Sequence, residues 1–309
     1  MDKPDDILYG AIATSDGTIT LRDPITGELY HNSAGAYLEA MENYVRPSMP
    51  AQIVASRVAA GESPRLALLD VCFGLGYNSF SLIDFLASNN FGLMKLEVFA
   101  IETDRRLLPV IAKVAEQSCF PSFSNCFVTG SANPPRTLSQ ILSDVFADKP
   151  GDNACDNLEL SFAIGSMQVD LHIVFEDLRQ VIPRLARERP RAFDLVYHDP
   201  FSATKVPELW TVDLFLKYNT LLNQSHGRVL TYSIATAVRG GFLQAGFLIY
   251  RTRAVGRKNG GTLAIVRFAD SETSSLCQSE LVYLLDEEER AKLASRSSVP
   301  YRDDSFFSE

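Results

Sequence analysis

Short apolar runs alternate with helical stripes along most of this chain, and the alternation predicts its elements. Residues 66–71 form an apolar run too short for a free-standing helix and of the right length for a strand covered on both faces. Residues 95–101, 169–175, 191–197 and 228–233 read as further strands. Between them, 79–87, 104–118, 178–187, 207–222 and 235–245 read as helices. The stripe Leu107, Leu108, Ile111 and Val114 is an example. Two last strands, 247–254 and 262–268, are joined by the basic glycine turn Gly256-Arg257-Lys258-Asn259-Gly260-Gly261. The pattern predicts an α/β fold with a doubly wound, seven-stranded sheet that ends in an antiparallel strand.

The flanks read differently. Asp16-Gly17 and Thr26-Gly27 are turn signals around Thr18-Ile19-Thr20-Leu21, which predicts a hairpin within 7–31. Helices are expected over 33–48, closed by Pro47, and over 50–60. The chain thus divides into a β/α extension (1–60), a main domain (61–268) and a polar tail (269–309) with a helix near 286–295. Within the main domain, 119–165 is rich in proline and polar residues and reads as a lid-like insertion.

Composition narrows the chemistry. The chain has 309 residues, 46% of them hydrophobic, enough for a large core. Its net charge of −9 makes it a poor default binder of nucleic acid. Basic residues do gather at Arg251, Arg253, Arg257, Lys258 and Arg267, where they serve either phosphates or a solvated turn. Five cysteines and four histidines without ligand spacing argue against a metal site and for reduced thiols in the cytoplasm. The acidic start is no signal peptide, and no apolar run approaches membrane-spanning length.

Candidate chemistry sits at the strand ends. Gly74 and Gly76 follow the first strand and allow positive φ and close backbone approach to a ligand. Asn78 and Ser79 are placed to cap the next helix. Glu102 ends the second strand, 26 residues after Gly76, where a carboxylate binds ribose hydroxyls in a βαβ unit. A G-x-G pair alone is weak. The missing third glycine favours S-adenosylmethionine over NAD. Asp177 and Asp199 end two later strands. Each alone serves equally well as a helix cap, but parallel strands bring all four ends to one edge.

Three stretches resemble the MnmC-type methyltransferase family, which modifies the wobble uridine of tRNA. They are Asp70-Val71-Cys72-Phe73-Gly74-Leu75-Gly76-Tyr77-Asn78, the run from Asp194 through His198-Asp199-Pro200-Phe201 to Trp210, and the run from Tyr232 to Phe247. The resemblance spans roughly 20–268. It implies a class I methyltransferase fold, S-adenosylmethionine as cofactor, and N-methylation of a 5-aminomethyl group on tRNA. It assigns Asp70, Phe73, Gly74, Gly76 and Asn78 to the cofactor turn, Glu102 to the ribose and Asp177 to the adenine. Asp199 falls beside the methyl-accepting amine, with Phe201, Lys205 and Trp210 in the substrate loop and Glu39 in the entry segment. Pro200 departs from the family's usual small residue. The family's fused oxidase half has no counterpart here, so a separate enzyme is expected to make the aminomethyl precursor.

Methyl transfer to an amine needs a neutral lone pair behind the methyl and a group that favours positive charge on nitrogen. Asp199 suits that task. Phe201 and Trp210 read either as walls of the site or as core, and His198 as structural. Two other readings stand beside this one: an N-methyltransferase of a small amine, and a cofactor-binding subunit without catalysis. An aminopropyl transferase would need paired acids where His198-Asp199-Pro200-Phe201 offers one.

Overall fold

The computed structural model describes residues 10–89, 92, 95–129, 134–147, 157–254, 260–267, 280–295 and 299–303. The chain forms two compact units, one from Met1–Met41 and Pro50–Asp177, the other from Glu42–Met49 and Leu178–Glu309.

The first unit opens with the expected hairpin. Strands β1 (Ile12–Ala13) and β2 (Ile19–Thr20) pair antiparallel, Ile12 opposite Thr20. Asp16 ties the turn by accepting the hydroxyls of Thr14 and Thr18 at 2.8 and 2.6 Å. Strand β3 (Arg65–Val71) is buried from Leu66 onward and lies parallel to β4 (Lys95–Glu102). Strand β4 in turn lies parallel to β7 (Met167–Phe175), with Glu102 opposite Phe175. This register sets the carboxyl ends of three strands side by side, which is where an open α/β sheet binds ligands.

Among its described residues, the region read as a lid holds two strands and a helix, Leu138–Ala147. Strand β6 (Leu158–Ile164) runs antiparallel to β7 along its whole length, and β5 (Cys126–Val128) pairs with β6. Leu158, Leu160, Phe162 and Ile164 alternate inward, which fits a strand with one face on the core. Behind the glycine turn, Phe73, Phe80, Phe120 and Phe123 pack ring against ring at 5.1–6.0 Å.

In the second unit β8 (Leu195–His198) lies parallel to β9 (Arg228–Thr231). Strands β11 (Thr262–Ile265), β10 (Leu248–Thr252) and β12 (Val282–Leu284) extend that sheet antiparallel. The expected tail therefore contributes a strand, and then a helix, Glu287–Leu293, that starts with an Asp286/Glu289 capping box. Helices Leu178–Glu188, Val212–Leu221 and Thr236–Gln244 alternate with the strands. Phe215 stacks on Phe242 at 3.8 Å in the core. The 33–48 segment is helical, but its middle, Met41–Val45, is a π turn between Ala36–Ala40 and Arg46–Ser48. Arg257 and Lys258 of the basic turn lie outside the described residues.

Candidate active site

The turn after β3 is tighter than its two glycines suggest. Cys72, Gly74 and Gly76 all have positive φ, at 64°, 56° and 87°. Sequence reasoning passed over Cys72, since a left-handed conformation is uncommon for a non-glycine residue. The helix that follows begins at Tyr77, not Ser79. Asn78 therefore lies buried in its first turn. Ser79, expected as a cap, donates its hydroxyl back to Asp70 Oδ2 at 2.5 Å.

Two buried acids flank the turn. Glu102 accepts the backbone amides of Gly74 at 2.8 Å, Thr103 at 2.7 Å and Asp104 at 2.9 Å. Burial pushes its carboxyl up, and these three amides pull the other way. Asp70 is fully buried, and its Oδ1 has no hydrogen-bond partner among the described residues. Burial pushes Asp70 up to about 7 against the pull of Ser79.

The glycines serve packing directly. A Cβ on Gly76 would stand 2.9 Å from the Phe73 ring and 3.1 Å from the Phe80 ring. One on Gly74 would stand 3.1 Å from the Tyr30 ring. Tyr30 thus closes over the turn, and its phenol is pushed up by burial first and by the negative charge of Glu102 second. Phe73, placed in the cofactor turn by its resemblance, is a core ring here. Asp177 follows β7 two residues beyond Phe175, the residue paired with Glu102, and is half-buried. Glu39 is buried and accepts the Asn32 amide at 2.8 Å, with His31 Nδ1 at 4.0 Å. It braces the Tyr30-His31-Asn32 segment from behind.

In the second unit, Asp199 directly follows β8 and is half-buried. Its Oδ1 accepts the Tyr44 hydroxyl at 2.5 Å. Tyr44 was not among the residues the sequence pointed to. Phe201 is half-buried and Lys205 exposed in the loop beyond. Trp210 corrects the expectation that it contacts substrate. It is fully buried, edge-on to His198 at 4.6 Å, and donates its indole N–H to the Phe201 carbonyl at 2.9 Å. A side chain so enclosed shapes the loop from within. His198 is structural: it is buried against Trp210, Phe215 and Tyr218, and burial pushes it down to about 3.

A family model described as S-adenosyl-L-methionine-dependent methyltransferase matches residues 144–267. The crystal structure of MNMC2 from Aquifex aeolicus matches with a TM-score of 0.66 at 26% identity, over 97% of this chain and 80% of that one. This chain carries an S-adenosylmethionine-dependent methyltransferase module that resembles the MnmC type.

Among curated relatives, an uncharacterised protein of Methanocaldococcus jannaschii is 25% identical to this chain over 253 residues. The match covers 82% of this chain and 58% of the relative. The tRNA 5-methylaminomethyl-2-thiouridine biosynthesis bifunctional protein MnmC of Aeromonas hydrophila is 33% identical over 99 residues, 32% of this chain and 14% of that protein. The chain thus spans little more than half of the first relative and a small part of the second.

The residues present fit S-adenosylmethionine. A carboxylate offers about four acceptor positions. Glu102 Oε1 takes the Thr103 and Asp104 amides and, at 3.4 Å, the Thr103 hydroxyl, while Oε2 takes the Gly74 amide and keeps capacity for a ribose hydroxyl. The unmet Asp70 Oδ1 beneath the turn is a polar atom of the kind a ligand-bearing turn carries. Glu102, the Gly74–Gly76 backbone and Asp177 are the groups that would hold the adenosine.

Proposed function

We propose that the module methylates the amine of a 5-aminomethyl group on the wobble uridine of tRNA. The match to MNMC2 along nearly the whole chain carries this reading, and the tRNA-modifying activity in the Aeromonas relative's name points to the substrate class. When bound, S-adenosylmethionine supplies an electrophilic methyl on a sulfonium with a neutral thioether as leaving group. The protein's own work is then binding and placement. Glu102 and Asp177 fix the nucleoside. Asp199 hydrogen-bonds the amine, turns its lone pair toward the methyl and favours the positive charge that grows on nitrogen. Water takes the proton that the incoming ammonium must lose.

A second reading, methylation of a small amine, draws on the net charge of −9, which repels a polyanion. Purified protein with labelled S-adenosylmethionine separates the two. Transfer to tRNA carrying 5-aminomethyluridine, and not to tRNA lacking it, is the expected result. Activity on small amines alone would hand the function to the second reading. Asp199→Asn keeps the shape but removes the charge. Turnover is expected to fall at least tenfold, about 1.4 kcal/mol of transition-state stabilisation, with cofactor affinity intact. An unchanged single-turnover rate would remove Asp199 from the reaction.

A further inference from the structure

We propose that Tyr44 is a positioning residue for methyl transfer, acting through Asp199. The inference rests on the reading that Asp199 meets the acceptor amine.

An aspartate at a strand end has two rotatable torsions and, when half-buried, competing water. Left to itself it samples several orientations, and an amine bonded to it would sample them too. Tyr44 restrains the carboxylate through its hydroxyl. Its ring is fully buried and packs against the Tyr197 ring at 5.4 Å. The Tyr197 hydroxyl meets the Ser48 hydroxyl at 3.1 Å. The Ser48 hydroxyl donates to the Val45 carbonyl at 2.7 Å, and Arg228 donates to the Ser48 carbonyl. The phenol is therefore delivered by a braced core, while its acceptor sits where a ligand can reach. A 2.5 Å contact from a phenol to a carboxylate belongs to the short, charge-assisted class. It takes one of the carboxylate's about four acceptor positions.

The backbone points the same way. Tyr44 lies in the π turn Met41–Val45. Such turns are rare and are often found at functional sites. Buried tyrosines need a partner for the hydroxyl, and a backbone carbonyl would serve packing as well. Here the partner is the one acid that ends β8.

The test is single-turnover methyl transfer, run on tRNA carrying 5-aminomethyluridine or on whichever small amine the wild type methylates. Tyr44→Phe keeps the ring and removes the hydroxyl. The expected result is at least a tenfold fall in kcat, with cofactor Kd and acceptor KM within twofold of wild type. In an Asp199→Asn background the same change should cost nothing further, because the bond's purpose is already gone. A 4-aminophenylalanine at position 44 returns an N–H donor to the same place and should restore part of the rate. This variant also keeps the inference testable if Tyr44→Phe folds poorly. Ser48→Ala, which loosens the brace behind Tyr44 but leaves its hydroxyl in place, should lower kcat by less than Tyr44→Phe does.

A Tyr44→Phe rate within twofold of wild type would overturn the inference. So would losses that multiply with Asp199→Asn, no rescue by the amine analogue, or an equal loss in Ser48→Ala. Wild-type turnover in Asp199→Asn alone would instead bring down the reading of Asp199, and this inference with it.

Discussion

Asp70 carries a proton that the unfolded chain does not hold over the same pH range. Its folded pKa, pushed by burial to about 7, lies above the ordinary aspartate value of about 3.9. Below pH ~4 both states are protonated. Between pH ~4 and ~7 the unfolded state loses its proton first, so stability falls as pH rises. Above that, both are ionised and the penalty is constant. Asp70→Asn is expected to flatten this slope: the variant's melting temperature should rise relative to that of wild type from pH ~4 to ~7 and the difference then stay fixed. Parallel curves would refute it. Gly76 answers to packing as well as to ligand approach. With φ at 87° and the Phe73 ring 2.9 Å from a would-be Cβ, Gly76→Val pays both backbone strain and overpacking. A loss above about 2 kcal/mol is expected, visible as a lower denaturation midpoint without any ligand. A variant as stable as wild type but unable to bind cofactor would show that the glycine serves the ligand alone.

At the scale of elements, the loop after β8 owes its shape to a tryptophan turned inward. The indole N–H holds the Phe201 carbonyl, and the Tyr232 hydroxyl holds the Pro200 carbonyl at 3.0 Å. Trp210→Phe keeps most of the apolar burial and drops one hydrogen bond. It should cost about 0.5–1.5 kcal/mol and speed amide hydrogen exchange in 200–209 more than in β8. Uniform exchange across both would mean the bond does not hold the loop. The strand–turn–helix unit around Gly74 was legible because a buried run and two glycines are local signals. The β6 strand was misread because Pro150 and the polar run before it, and Gly165-Ser166 after it, hid it. Its alternation gains meaning only from β7 alongside. The π turn left no signal at all, since residues 36–48 read as ordinary helix.

Across the whole molecule, charge is arranged more tightly than composition implies. Arg251, one of the basic residues considered for phosphate, lies 3.2 Å from Asp286 and 3.8 Å from Glu289. Arg239 bonds Glu289 at 2.7 Å. The acidic helix start near 286 therefore neutralises part of the basic face within the second unit. No helix among the described residues is long and apolar enough to cross a membrane.

The sequence by itself determined the alternating elements, the glycine turn and the acids Glu102, Asp177 and Asp199 at strand ends. Each follows from periodicity or from residue chemistry within a few positions. Tertiary structure alone decided what those groups touch. Glu102 reaches the Gly74 amide across 28 residues, and Tyr44 reaches Asp199 across 155. Whether Trp210 faces a ligand or the core, and which buried oxygen goes unmet, were set the same way. Such contacts depend on which strand lies beside which and on the space left between packed rings, and neither is written in local sequence.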